Sequence, residues 1–70
     1  MMPLTMARPG ETVTIRKITG GDEVRQHLAG LGIVENSDVT VVSQLAGNLI
    51  LQVKDSRVAL DKTMANRIMI

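Results

Sequence analysis

The chain has a single histidine and no cysteine, so few of its side chains could bind a metal or attack a substrate. His27 follows Glu23 by four residues, and on a helix this pair shares one face and could weakly hold a divalent ion. A metal site needs three or four ligands, which a lone imidazole does not provide. Acids at Asp22 and Glu23 are explained without metal, because they complement a helix dipole and Asp22 can cap free amides. The sequence therefore predicts no metal site and no cofactor.

Two further patterns could carry chemistry, namely a glycine pair and three serines. Gly20, Gly21 and Asp22 resemble a phosphate-binding loop, yet neither GxGxxG nor GxxxxGK[ST] is present, and a carboxylate there would repel phosphate. The serines lie in strand or turn patterns without a GxSxG motif around them: Ser37, Ser43 and Ser56. We therefore predict no catalytic residue and expect that the protein is not an enzyme.

The composition sets the type of fold. The 70 residues contain no Phe, Tyr or Trp, so the 44% hydrophobic content rests on aliphatic side chains, many of them β-branched. Such residues favour strands over helices. This length suits one domain, residues 1–70, whose core yields only about 3–5 kcal/mol of net stability.

Charge and hydropathy limit the classes of partner. The net charge is +1, with eight basic residues scattered among seven acids, and no aromatic side chain offers a stacking platform for bases. We therefore expect no nucleic-acid binding. The first residues lack the basic flank and apolar core typical of a signal peptide, and no apolar run approaches the roughly 20 residues of a membrane helix. These features predict a cytoplasmic protein without direct membrane insertion.

One segment has helical periodicity. Val24, Leu28 and Leu31 recur at helical spacing, which predicts a helix over residues 22–31. Asp22 is the expected N-cap. Gly32 is expected to end the helix with positive φ, with Leu31 and Ile33 packed on either side of it.

The remaining segments alternate as strands. The first strand is predicted over residues 12–15, and Ile18 falls out of phase, which indicates a bulge or a strand end. Further strands are predicted after the helix: residues 39–45, 49–53, 57–60 and 67–70. Asp55 and Ser56 form a predicted turn, and Asp61 is expected to cap a single helical turn.

The hairpin loop is predicted from parity. A two-residue loop of Gly47 and Asn48 would place Val41 opposite a lysine. A three-residue loop over residues 46–48 instead pairs Val41 with Val53 and Leu45 with Leu49, which keeps one apolar face. We therefore predict the three-residue loop, and a mainly β barrel of about five strands with one short helix after the first.

The whole chain resembles the ferrous iron transport protein A (FeoA) family. The resemblance rests on residues 4–11, on Val13-x-Ile15-x-x-Ile18, on the helix end Leu31-Gly32-Ile33 and on the later Val58-Ala59-Leu60. The family fold is an SH3-like barrel with a helix after the first strand. The chain departs from the family pattern at Glu35 and Asn36, where Pro-Gly is common, and at Gln26 and His27, where an Arg is common.

This resemblance implies a small cytosolic accessory protein of bacterial ferrous iron uptake. Its partner would be the cytosolic, GTP-hydrolysing part of the ferrous iron permease, which would recruit it to the inner face of the membrane. The alternative is a stand-alone relative of the SH3-like C-terminal domain of metal-dependent repressors, a generic protein-binding module. Weak self-association stays open.

Some apolar residues are out of phase with the predicted core. Val42 and Ile50 lie on the outer face of the hairpin, where they either cover the barrel beneath the helix or form a contact patch. We expect this patch to bind the partner together with Gln26 and His27 on the helix.

Overall fold

Six strands, two helices and a short 3-10 turn make up the fold, and the computed structural model describes residues 1–70. The 3-10 turn spans Leu4–Met6. The other elements follow in the order β1 (Thr12–Thr14), β2 (Lys17–Ile18), α1 (Asp22–Gly30), β3 (Asp38–Leu45), β4 (Asn48–Val53), β5 (Ser56–Asp61), α2 (Lys62–Ala65) and β6 (Ile68–Met69). The prediction of a mainly β fold of about five strands with a short helix is confirmed, while α1 follows the short second strand β2 and not the first strand.

The strands form two antiparallel sheets. Four strands pair in the order β1-β3-β4-β5, and β2 pairs with β6. The chain changes partner between β1 and β2, because the Ile15 N–H donates to the Ser37 carbonyl and the Arg16 N–H donates to the Met69 carbonyl. The break in phase at Ile18 is therefore a strand end, one of the two possibilities that the sequence indicated.

The core between the sheets is entirely aliphatic. Ile15, Leu51 and Ile68 have no exposed surface, and no polar side chain is buried. Leu28 brings α1 into this core, and Ala65 does the same for α2. One small core therefore joins both sheets and both helices.

The C-terminal end of α1 is closed by two backbone hydrogen bonds. The Gly32 N–H donates to the Ala29 carbonyl and the Ile33 N–H to the Leu28 carbonyl, both at 2.9 Å. Gly32 has φ +86°, and the side chains of Ile33 and Leu28 are both fully buried. This is a Schellman motif with its hydrophobic contact. The predicted positive φ at Gly32 is confirmed, as is the packing of Leu31 against the core.

The N-terminal end of α1 differs from the prediction. Gly21, with φ +90°, occupies the N-cap position, and no side chain caps the helix. Asp22 is the first helical residue, and its carboxylate lies 3.5 Å from the Arg25 guanidinium. The prediction of Asp22 as N-cap is therefore wrong. The glycine pair permits a left-handed entry into the helix, which places Asp22 one position too late to cap it.

Asp61 does cap a helix, as predicted. Its Oδ1 accepts a hydrogen bond of 2.8 Å from the Met64 N–H at the start of α2. The turn before β5 consists of Lys54 and Asp55, because Val53 pairs with Ser56. It therefore begins one residue earlier than predicted, and Lys54 takes the positive φ of 53°.

The β3–β4 hairpin has a different register from the predicted one. Leu45 pairs with Asn48, so the loop is the two-residue turn of Ala46 and Gly47, and both residues have positive φ. A bulge at Val42 adds one residue to β3 between Val41 and Ser43. This extra residue reverses the alternation beyond it, so that Leu45 is 70% exposed. The predicted three-residue loop and the predicted core position of Leu45 are both wrong.

Candidate functional site

The outer surface of the β3–β4–β5 sheet carries an apolar strip, here called the hairpin face: Val42, Leu45, Ile50 and Ala59. Ile50 pairs with Ser43 on one side and Ala59 on the other. Val42 and Ile50 are half-buried, yet neither belongs to the apolar side chains that pack against the core. The bulge brings Val42 next to Ser43 opposite Ile50, so both predicted contact residues of the hairpin lie on one surface.

Leu45 and Ala59 were not predicted as members of the hairpin face. Leu45 was assigned to the core because strict alternation along β3 places it there, and only the bulge at Val42 moves it outside. Ala59 lies opposite Ile50 on the exposed side of β5, and its small side chain gave little hydrophobic signal. Parity along β5 could have identified it, since its neighbour Leu60 is buried.

Polar groups border the hairpin face at both ends. At one end the Arg57 Nε donates to the Gln52 side-chain oxygen at 3.3 Å across β4 and β5. At the other end Asn48 pairs with Asp61. The apolar strip is therefore short and has a polar rim, which is the arrangement of a small protein-binding patch.

The helix residues predicted to share this surface lie on a separate element. Gln26 and His27 are exposed on α1, which is anchored by Leu28 and packs little against β3 or β4. The structure brings Val42 and Ile50 together, while Gln26 and His27 form a second patch on α1. Glu23 is exposed as well, and no three His, Cys, Asp or Glu side chains are grouped as metal ligands.

A shallow apolar groove runs beside α1, which the sequence did not reveal. Its volume is about 140 Å³, and four of its lining residues are hydrophobic: it is formed by Ile18, Arg25, Ala29, Ile33, Val34 and Glu35. Val34 is 45% exposed at its edge. The sequence does not single out Val34 because this residue directly follows the buried Ile33, and the two residues read as one apolar run.

Comparison with known proteins identifies the family of this chain. The profile described as FeoA domain matches residues 2–70. The chain belongs to the FeoA domain family. A Methanocaldococcus jannaschii protein that carries the name Fe(2+) transport protein A is 34% identical over 70 residues. These residues cover 100% of this chain and 85% of that protein. The resemblance drawn from the sequence is confirmed.

Solved structures share the fold over nearly the whole chain. The crystal structure of the iron uptake regulatory protein FeoA matches with a TM-score of 0.90 and 31% identity, over 97% of this chain and 90% of that protein. A manganese-dependent transcriptional repressor matches with a TM-score of 0.84 and 26% identity, over 94% of this chain and 38% of the repressor. Stenotrophomonas maltophilia FeoA, crystallised with zinc and described as a prokaryotic SH3 domain protein, has a TM-score of 0.71, 23% identity, and coverage of 99% and 88%. At this identity the last match shows the fold alone. The predicted small SH3-like fold is therefore confirmed.

Neither helix of this FeoA-family chain has the length and apolar character needed to cross a bilayer.

Proposed function

We propose that this chain is a cytosolic accessory protein of ferrous iron uptake that docks on the GTP-hydrolysing domain of the ferrous iron permease. Membership of the FeoA family over residues 2–70 supports the link to iron transport, as do the names of its relatives. The hairpin face carries the docking part of the proposal. Leu45 is 70% exposed on this face, and Val42 and Ile50 beside it are not among the apolar side chains that pack against the core.

The size of the hairpin face favours a weak, transient complex. The net charge of +1 gives little electrostatic steering, so burial of apolar area must contribute most of the affinity. Leu45 is the most exposed member, and a protruding leucine beside half-buried Val42 and Ile50 suits insertion into a shallow pocket. We expect a contact below about 1,200 Å² in total, with micromolar affinity.

The test combines binding with stability. Leu45→Asp and Ile50→Asp should leave the far-ultraviolet spectrum native and weaken capture of the protein by the permease's cytosolic domain at least about tenfold, since each charge must be desolvated on binding. Met6→Asp is the matched control, because Met6 is 65% exposed and lies outside the hairpin face. Gln26→Ala and His27→Ala test the patch on α1. Folded Leu45→Asp and Ile50→Asp variants that bind like the parent would remove the hairpin face from the interface.

The likeness to manganese-dependent repressors favours a second candidate function. In this alternative the chain is a stand-alone protein-binding module whose partner is a transcriptional regulator. Capture experiments with the permease domain and with a metal-dependent repressor that lacks its own SH3-like domain distinguish the two. Binding to the repressor alone would contradict the permease proposal and support the module.

A further inference from the structure

Strand β5 is an edge of the four-stranded sheet, with β4 on one side and no strand on the other. Val53 and Ser56 flank the two-residue turn, so they form a hydrogen-bonded pair, and bonded pairs then recur at every second residue. The backbone groups of the intervening residues point away from β4. These residues are Arg57, Ala59 and Asp61.

This edge is open. No backbone hydrogen bond outside the helices and strands involves Arg57 or Ala59, and both residues are exposed. α2 follows Asp61 directly, contacts β5, β4 and the 3-10 turn, and places Ala65 in the core, while Arg57 and Ala59 farther along β5 stay exposed. An exposed strand edge of this kind is a template for pairing with another strand.

We propose that a second copy of this chain pairs with this edge, β5 against β5, antiparallel and centred on Ala59. In that register Ala59 of one copy lies opposite Ala59 of the other, and Arg57 lies opposite Asp61 at both ends. Side chains of directly opposed residues lie on the same side of a sheet, so each arginine meets an aspartate on the outer surface. The edge is thus complementary to itself in both charge and hydrogen bonding.

The groups needed for this pairing are available. Arg57 uses its Nε for Gln52, which leaves its terminal nitrogens free to bind a carboxylate. Asp61 uses Oδ1 for the Met64 N–H, which leaves its second oxygen. As N-cap of α2, Asp61 turns its carbonyl into the helix but keeps its N–H on the edge. The pairing therefore forms about four hydrogen bonds between the backbones, together with two ion pairs.

Other registers are less favourable. Only residues whose backbone groups face outward can pair, so the strands slide past each other in steps of two residues. One step in either direction loses the ion pairs and leaves a charged residue opposite Ala59. A second step places Arg57 opposite Arg57 or Asp61 opposite Asp61, where like charges repel. The register centred on Ala59 is the one that satisfies both charges.

The expected dimer is weak, and its formation does not require the proposed permease contact. One edge strand and four charges give a dissociation constant on the order of 0.1–1 mM, which salt raises by screening the ion pairs. The experiments therefore use the protein alone, so that their outcome does not depend on whether the permease binds the hairpin face.

Cysteine trapping gives a direct test, because the chain has no native cysteine. At the centre of the proposed pair the two Cα atoms lie about 5.5 Å apart, within the range that a disulfide spans. Under mild oxidation at millimolar concentration, Ala59→Cys should form dimers at least about tenfold faster than Lys17→Cys. Lys17 is an exposed residue on β2 of the other sheet, which makes it a matched control.

Charge exchange tests the register. Arg57→Asp alone and Asp61→Lys alone each place like charges opposite each other, so each variant should be monomeric in sedimentation equilibrium where the parent dimerises. Their equimolar mixture restores both ion pairs and should form a heterodimer. Lys17→Asp, which changes the net charge as Arg57→Asp does, should dimerise like the parent.

Three results would overturn the proposal. They are a parent that stays monomeric at millimolar concentration, Ala59→Cys that cross-links no faster than Lys17→Cys, and an Arg57→Asp variant that dimerises unchanged. NMR spectra of the variants serve as the control: a native spectrum would show that a variant has lost the ability to dimerise without unfolding. The protein could also stay monomeric and show shifts of its β5 amide signals only when an unrelated extended peptide is added. That result would show that the edge binds a different partner strand, which would also overturn the proposed dimer.

Discussion

Gly30 and Gly32 are separated by one residue at the end of α1, yet they have different backbone conformations. Gly30 is helical, and a Cβ added there would meet no atom within 4 Å, whereas Gly32 has φ +86° and its Cβ would lie 3.1 Å from Val53 Cγ1. A side chain is therefore compatible with the first position and strained at the second. The same substitution should have opposite effects at the two sites.

We expect Gly30→Ala to raise the melting temperature and Gly32→Ala to lower it. The first change should raise the free energy of unfolding by about 0.5–1 kcal/mol through helix propensity, and the second should lower it by about 1–2 kcal/mol through backbone strain. In a domain of this size, each kcal/mol shifts the melting temperature by about 4–8 °C. Gly32→Val should lower it further. Melting curves followed by far-ultraviolet circular dichroism provide the measurement, and a Gly32→Ala variant as stable as the parent would contradict the role of the Schellman motif.

Asp61 and Asp22 offer a second matched pair. Asp61→Ala removes the hydrogen bond to the Met64 N–H and should destabilise the protein by about 1 kcal/mol, whereas Asp61→Asn keeps a capping oxygen and should be close to neutral. Asp22→Ala removes only an exposed ion pair with Arg25, so we expect a change within about 0.5 kcal/mol. Urea denaturation measures all three, and a large loss on Asp22→Ala would restore the sequence-based assignment of that residue as a cap.

The two aspartates also show where residue-level prediction succeeds. Both precede an apolar helical pattern, and both were predicted as caps. Asp61 caps because it follows a strand and has extended φ and ψ, which is the conformation of an N-cap. Asp22 follows two glycines with positive φ, and their backbone path cannot be deduced from residue type alone.

At the scale of elements, the β3–β4 hairpin separates what the sequence predicts from what it does not. Alternation correctly assigns Val41, Leu49 and Val53 to the core. It fails beyond Val42, because a bulge shifts the phase by one residue and valine carries no signal for a bulge. The turn was also missed, since alanine rarely adopts the φ of 51° found at Ala46.

Alanine substitutions at Leu45 and Leu49 distinguish the two registers. In the predicted register these leucines face each other in the core, so both substitutions would be equally damaging. In the observed register Leu49 is 3% exposed and Leu45 is 70% exposed. Leu49→Ala should cost about 2–5 kcal/mol, most of the stability of so small a domain, while Leu45→Ala should be nearly neutral. Comparable losses of stability at the two positions would favour the three-residue loop.

The hairpin turn can be improved. Ala46 and Gly47 both have positive φ, as in a type I′ turn, for which Asn-Gly is the preferred pair. Ala46→Asn should therefore raise stability by about 0.5–1 kcal/mol, and Ala46→Val should lower it, since a β-branched residue tolerates this conformation least. Thermal melts of the two variants test the turn type. A destabilised Ala46→Asn variant would argue against it.

At the scale of the whole molecule, the two proposed contacts use one sheet and share Ala59, whose side chain belongs to the hairpin face and whose backbone lies on the edge of β5. The permease would bind the hairpin face, while a second copy would bind the edge of β5. Pairing through that edge would continue the sheet and set two hairpin faces side by side. A dimer would thus present two copies of the same patch to partners that lie close together, which raises apparent affinity without any new contact.

The prediction that the protein has no metal site concerns the whole molecule, because the ligands of such a site would come from several elements of the fold. His27 and Glu23 are exposed on α1, and no third ligand is grouped with them. We expect the isolated protein to bind zinc or ferrous iron no more tightly than about 100 μM, and His27→Ala to change this little. Calorimetric titration provides the test. Stoichiometric micromolar binding that disappears in His27→Ala would show that α1 holds a metal.

The meeting of the two ends of the chain has a consequence for folding kinetics. Met2 and Ile70 exchange two backbone hydrogen bonds, of 3.0 and 2.8 Å, so the final strand pairs with residues at the other end of the chain. Such a contact closes the longest loop that the chain can form. The loss of chain entropy on closing this loop opposes the contact until its own hydrogen bonds and packing have formed. The β3–β4–β5 hairpins should therefore form early and the terminal pair late. A circular permutant with the ends joined by a short linker and opened at Ala46-Gly47 would make the terminal pair local and the β3–β4 pairing long-range. Faster folding than the parent would show that closure of the terminal pair limits the reaction, and slower folding would show that the β3–β4 hairpin does.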